Sequence, residues 1–353
     1  MRTKNFIIIL CCVVLTSFIF IILGPAGQQN DSIKNIVTQT HQQLRELQEN
    51  LRASDEKTLE VDEKYLAHLG FIQPTFNGTK SNFSIVTYVQ DGQAPSVILL
   101  SQNIAAKFPN EYLLIYDLGL SEDDSHALNS YCNSSKCSVI IYDLSVYPSY
   151  LMDQRMHAYR PLVIKDALQR SKQILFTENY IRYRGTSRDL HDLKLKSLQN
   201  GGILGWTTPL AVSTLTHPKM FGYFQTNAEN FQFSRMINLD AIFITDTPIV
   251  NEKILLPWIK CCLTMECIDP IGAQSGGCKY NKKPQFRYSG CHAYDTSALN
   301  IVLGLTWHDE TKYSLSGDTN TIFYQETLEQ ATKILENKRR NSSDTSEHPF
   351  TDE

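Results

Sequence analysis

The sequence predicts an α/β protein: a doubly wound, mainly parallel sheet with a less regular, disulfide-containing C-terminal half, preceded by one transmembrane helix and a helical stem. Three observations predict it. Short β-rich runs alternate with helical spacing from Ser84 to Phe176, the rhythm of parallel strands joined by crossover helices. Five of the nine cysteines crowd residues 261–291. Phe6–Leu23 carries neither charge nor proline, and an 18-residue helix spans the ~30 Å hydrocarbon core of a bilayer.

Arg2 and Lys4 precede that span, and no further base occurs until Lys34. The positive-inside bias therefore leaves residues 1–5 in the cytosol and everything after the span in a secretory lumen. A cleaved signal peptide is the competing reading, but its apolar core is usually ~7–15 residues. Cys11 and Cys12 lie within the span. Residues 24–65 read as a stem in which Ile33, Val37, Thr40, Leu44, Leu47 and Leu51 recur at heptad spacing. That seam supports either a homodimer through the stem or a single spacer helix. Ser54–Lys64 is charged and reads as linker.

Residues 66–320 are expected to form the lumenal domain, 321–340 a C-terminal helix and 341–353 a disordered tail. Strands are predicted at Ser84–Val89, Tyr112–Tyr116, Val139–Tyr142 and from Ile174 to Phe176. Ala94–Phe108 carries helical spacing, and Pro161 opens a second helix. Asp117, Asp143 and Glu178 then stand at the carboxyl ends of strands, where open α/β sheets collect ligands. Further on, Gly201–Trp206 reads as a turn feeding a strand, and Pro218–Phe224 as a short helix capped by Thr216 or His217. Ala241–Thr245 is expected to be a strand, Pro248–Leu263 a helix, Cys291–Leu305 a loop and buried helix, and Gln325–Arg340 the last helix.

Lysines and arginines are dispersed and the formal net charge is -4, so no electrostatic footprint for nucleic acid exists. Seven cysteines remain outside the span. In an oxidising lumen they favour disulfides over zinc: Cys132 with Cys137 across a small loop, and Cys261, Cys267, Cys278 and Cys291, with one thiol of the Cys261/Cys262 pair left over. Asn30, Asn77, Asn82, Asn133 and Asn341 each open an Asn-x-Ser/Thr sequon in a stem, loop or tail. Gln90–Pro95, after the first strand, is neither a Walker loop nor a dinucleotide fingerprint, and no Gly-x-Ser-x-Gly elbow occurs.

The succession IVTYV, IYDLGL, YRPLVIKDAL, ILFTENYIRYRG, GILGW, THPKMFGYF, LLPWIKCCLTMECIDPIG and CHAYDTSALNIVLG resembles an animal family of single-pass secretory-pathway proteins that look like GT-A-fold glycosyltransferases. The resemblance runs from about Ser84 to Leu315, and the cysteine cluster with its Cys-His-x-Tyr-Asp stretch is its most specific part. It implies a type II Golgi membrane protein that moves a sugar from a nucleotide-sugar donor, UDP-linked, to a glycan or glycoprotein acceptor. The alternative is a relative that kept the fold as a lumenal glycan-binding or scaffolding protein and lost turnover.

Such chemistry needs charge neutralisation at a diphosphate leaving group, by Mn²⁺ or Mg²⁺ held on carboxylates or by basic side chains. The GT-A pattern places Asp-x-Asp after the fourth strand; here Thr177-Glu178-Asn179-Tyr180 stands there, so Glu178 is the metal candidate, against a salt bridge to Arg182 or Arg184. The second acid of that motif is missing. Asp117 is assigned to the nucleoside or to capping the helix near Ser121. Arg160 is assigned to the diphosphate, Trp206 to stacking on a sugar or to the core, and His292 to metal or phosphate. Asp295 is the catalytic candidate, as base or sugar ligand, against an N-cap. Lys165 reads as solvated surface charge and His217 as structural.

Overall fold

The protein is described by a computed structural model covering residues 15, 58–132, 136–281, 283–315 and 322–344. The anchor at 6–23, the stem seam, Asn30, Asn133 and the end of the tail lie outside these residues. Among the described residues no helix is long and apolar enough to cross a membrane. The elements below belong to the unit that begins at Thr58.

In chain order these are α1 (Glu63–His68), β1 (Ser84–Val89), α2 (Ala94–Lys107), β2 (Leu113–Asp117), α3 (Glu122–Tyr131), β3 (Cys137–Ile141), α4 (Arg160–Arg170), β4 (Gln173–Thr177) and β5 (Ile181–Tyr183). They continue with α5 (Ser187–Gln199), β6 (Ile203–Ala211), α6 (Pro218–Tyr223), β7 (Arg235–Ile237) and β8 (Ala241–Thr245). A π-helical turn (Val250–Leu255) runs into α7 (Leu256–Cys262), followed by α8 (Met265–Ile268), α9 (Tyr294–Trp307), β9 (Ser314–Leu315), β10 (Phe323–Gln325) and α10 (Leu328–Asp344).

The main sheet runs β3-β2-β1-β4-β8-β6-β7, with β9 beside β6. Its first four strands are parallel, in registers such as Ile85 beside Leu113, Val86 beside Phe176 and Leu113 beside Cys137. The second half departs from the expected parallel pattern: β8 is antiparallel to both β4 and β6, and β7 is antiparallel to β6. β7 and β8 follow one another along β6, with Ile237 opposite Thr207 and Ile244 opposite Ile203, so the short 238–240 link continues one direction instead of turning back. β5 and β10 form a separate antiparallel pair.

Period-two alternation splits the core. Val86, Tyr88, Leu114, Tyr116, Ile174 and Phe176 face one layer with α4, α7 and α9. Ile85, Val89, Leu113, Ile115, Leu175 and Phe243 face the other with α2 and α10. Both faces are covered, so the strands of the parallel half read as continuous apolar runs. Pro occupies the first turns of α2 and α4, where its missing N–H costs nothing. His217 accepts from the Lys219 amide and caps α6.

Three disulfides join Cys132 to Cys137, Cys261 to Cys267 and Cys278 to Cys291, leaving Cys262 as a buried free thiol. The last helix differs from the expected 321–340: Phe323–Gln325 pairs with β5 instead, and the helix starts at Leu328 and continues to Asp344. α5 was not anticipated; its capping box, Thr186 with Asp189, is the signal that marks it.

Candidate functional site

Strand order reverses between β1 and β4, so the crevice beyond their carboxyl ends is the topological switch point. Four of the elements deliver side chains there. Tyr88 comes from the end of β1, Glu178 from the residue after β4, Arg160 from the start of α4 and Asp295 from the first turn of α9. Arg160 lies between the two acids: one guanidinium nitrogen is 3.0 Å from Glu178 Oε1, another 2.7 Å from Asp295 Oδ1. Tyr88 donates its hydroxyl to Glu178 Oε2 at 2.7 Å. The Thr296 amide donates to Asp295 Oδ1, and Trp258 Nε1 donates to the Asp295 carbonyl.

This cluster is buried: Arg160 is 7% exposed, Glu178 2% and Asp295 0%. One cation faces two carboxylates, so at full ionisation the network holds a surplus negative charge away from water. Burial pushes Asp295 up to about 7 against the pull of Arg160, and it raises Glu178 in the same way against Arg160 and Tyr88. Burial also opposes the charge on Arg160, but Asp295 and Glu178 together hold its pKa raised. Arg160 Nε and Asp295 Oδ2 are buried with no hydrogen-bond partner.

Backbone strain accompanies the cluster. His157, three residues before Arg160, has φ +49°, and Tyr294, immediately before Asp295, has φ +44°. A left-handed conformation costs a non-glycine residue about 1–2 kcal/mol. The packing around Arg160 and Asp295 therefore holds both flanking segments against that cost. His157 is neutral, its pKa lowered to about 3 by burial and then by Arg160.

The metal assignment fails on the donor set. Both Glu178 oxygens are engaged, one by a guanidinium that would repel a second cation. The nearby Asp240 is also fully used: Tyr180 donates to one oxygen, Asn238 and Gln325 to the other. Asn179 spends its amide on the Gln93 side chain and the Tyr88 carbonyl. Among the described residues no group of three metal-ligating side chains converges. Glu178 pairs with Arg160 rather than with Arg182 or Arg184; Arg182 binds Glu326 and the carbonyls of Asn179, Ile181 and Ser96.

The other sequence candidates sit apart from the cluster. Asp117 accepts from the amides of Gly119 and Leu120 and closes its own turn, while Ser121 caps α3. Trp206 is 4% exposed, edge-on to Phe323 at 5.1 Å within the second core layer, so it offers no ring face to a sugar. His292 is buried, accepts from the His217 amide, and contacts the Ile268 carbonyl through its other nitrogen. Burial lowers its pKa to about 3, so it is a neutral structural pin rather than a phosphate partner. Lys165 is buried, not solvated; it donates to Asn251 and lies over the Phe71 ring. Sequence reading missed Tyr88, Trp258 and Asp240: Tyr88 and Trp258 lie inside apolar runs that read as core, and Asp240 stands just before one.

Two cavities flank the region. A crevice of about 320 Å³ at the switch point is lined by Gln93, Ser96, Asn179, Tyr180 and residues 325–328. A cleft of about 850 Å³ opens beyond β2 and β3.

No family model and no curated protein matches the chain. Its structural neighbours are glycosyltransferases. WbbM, a bifunctional enzyme in its apo form, aligns at 13% identity and TM-score 0.42 over 65% of this chain and 38% of its own. The galactosyltransferase LgtC with donor and acceptor sugar analogues aligns at 13% and 0.38 over 67% and 73%. Core-mannan synthase A (CmsA/Ktr4) of Aspergillus fumigatus in its Mn/GDP form aligns at 10% and 0.40 over 71% and 76%. The likeness is partial in every case.

Proposed function

We propose that the protein is a type II, Golgi-membrane protein whose lumenal domain binds carbohydrate and does not transfer sugar through a metal-bound donor. One observation carries this reading: Arg160 occupies the place between Glu178 and Asp295, holding Glu178 Oε1 and Asp295 Oδ1 where a divalent cation would need them. A diphosphate leaving group would find that guanidinium buried and already neutralised. In this reading the cluster is a structural clamp joining β4, α4 and α9 at the switch point. Ligand recognition then falls to the polar cavities beside it.

A second reading, sugar transfer from a UDP-sugar donor to a glycan or glycoprotein, is favoured by Asp295 alone. Its Oδ2 has no partner and its pKa of about 7 suits proton exchange at neutral pH. A panel of UDP-sugars assayed for hydrolysis and transfer, with and without Mn²⁺, separates the two. Glycan binding with no turnover in wild type, Glu178→Gln or Asp295→Asn supports the binding protein. Mn²⁺-dependent turnover abolished by Glu178→Gln would overturn it.

A further inference from the structure

The cleft beyond β2 and β3 lies outside the ion cluster, none of whose residues lines it. Three elements build its walls. The β2 end contributes the Asp117 turn, and the β3 end contributes Ile141 to Ser145. α3 contributes Glu122, Ser125, His126 and Asn129, whose i, i+3, i+4, i+7 spacing puts them on one helix face. That explains why α3 buries only Leu128 against the core.

From these walls we propose that the cleft binds an uncharged oligosaccharide. Its volume of about 850 Å³ admits more than a single sugar ring. Its polar lining mixes acceptors and donors of the kind hydroxyl groups require: Asp117, Asp143, Ser125, His126 and Asn129. Among the described residues no lysine or arginine lines it, while Asp117, Glu122 and Asp143 do. A phosphate, uronate or sialate entering this cleft would meet carboxylates with nothing to offset them. The rim adds apolar surface, with Ile141 85% and Met152 54% exposed, against which the C–H faces of sugar rings can pack. Carboxylates held by turn amides, Asp117 and Asp143, beside exposed apolar side chains match the two kinds of surface that a neutral sugar presents.

The assignment deepens the carbohydrate-binding reading and rests on it. The full chain is titrated with chitotriose, mannotriose and N-acetyllactosamine, and with sialyllactose, UDP and a lysine-rich hexapeptide as charged probes. At least one neutral trisaccharide or disaccharide is expected to bind, and sialyllactose and UDP to bind about tenfold more weakly or not at all, a gap of about 1.4 kcal/mol. Asn129→Lys and His126→Ala are expected to weaken the neutral probes about tenfold without moving the melting temperature, since both side chains are exposed. Neutral probes that bind both variants as well as wild type would overturn the cleft while leaving carbohydrate binding intact. No neutral binding, or tighter binding of sialyllactose, UDP or the basic peptide, would overturn the ligand class. Metal-dependent turnover would instead strike at the parent reading.

Discussion

Replacing Arg160 by methionine isolates what the buried cluster contributes. The substitution keeps an unbranched chain of similar volume and removes the cation that, among the described residues, pairs with Glu178 and Asp295. Asp295 titrates at about 7, so in wild type it holds its proton at pH 5 and is largely ionised at pH 8. Without Arg160 neither acid can stay ionised in the core, so each must be protonated to stay buried. For Glu178, with an ordinary value of 4.5, that costs about 1.36 × (8 − 4.5), or about 5 kcal/mol at pH 8, and under about 1 kcal/mol at pH 5. The pH 8 figure agrees with the roughly 3–5 kcal/mol seen when one partner of a buried ion pair is removed. At about 2 °C per kcal/mol for a domain of this size, Arg160→Met should lose about 10 °C at pH 8 and about 2 °C at pH 5. Thermal unfolding followed by tryptophan fluorescence across that range is the assay. An equal loss at both pH values would show that packing, not charge, explains the effect, and no loss would refute the clamp outright.

Other outcomes follow from the same geometry. Asp295 has a folded pKa raised from 3.8 to about 7, so its contribution is fully present below 3.8 and is lost as pH rises through 7. Asp295→Asn should therefore flatten the stability profile between about pH 4 and pH 7, and an unchanged slope in denaturant titrations would contradict the assignment. Tyr88→Phe leaves Glu178 Oε2 unpaired and should cost about 1–3 kcal/mol; a urea midpoint within error of wild type would speak against that hydrogen bond. Cys278→Ser with Cys291→Ser opens a loop of sequence separation 13 and should cost about 3 kcal/mol in chain entropy, readable as a lowered melting temperature. Asn77 and Asn82 are exposed, so expression through the secretory pathway should add glycans that Asn→Gln changes remove one at a time. A protein carrying no glycan at either site would count against the lumenal orientation.

Much of the fold was legible because local rules and tertiary structure agree. β1 and β8 fall at Ser84–Val89 and Ala241–Thr245 as expected, since β-rich runs bounded by turn residues have few alternatives. The spare thiol of the Cys261/Cys262 pair was legible too: adjacent residues on one helix cannot both face Cys267. β5, β7, β9 and β10 were not, because strands of two or three residues carry no periodicity to read.

The sequence by itself determined the candidate acids, the alternation of strand and helix, and the apolar runs that become strands, because all of these follow from short-range pattern and residue chemistry. Only the tertiary structure decided that Arg160, Glu178 and Asp295 meet. They are separated by 18 and 117 positions, and nothing local distinguishes a carboxylate that greets a cation in solvent from one already spent on a buried guanidinium. Proximity between distant segments arises from the packing of α4 and α9 against the end of β4, and that packing is a property of the whole core.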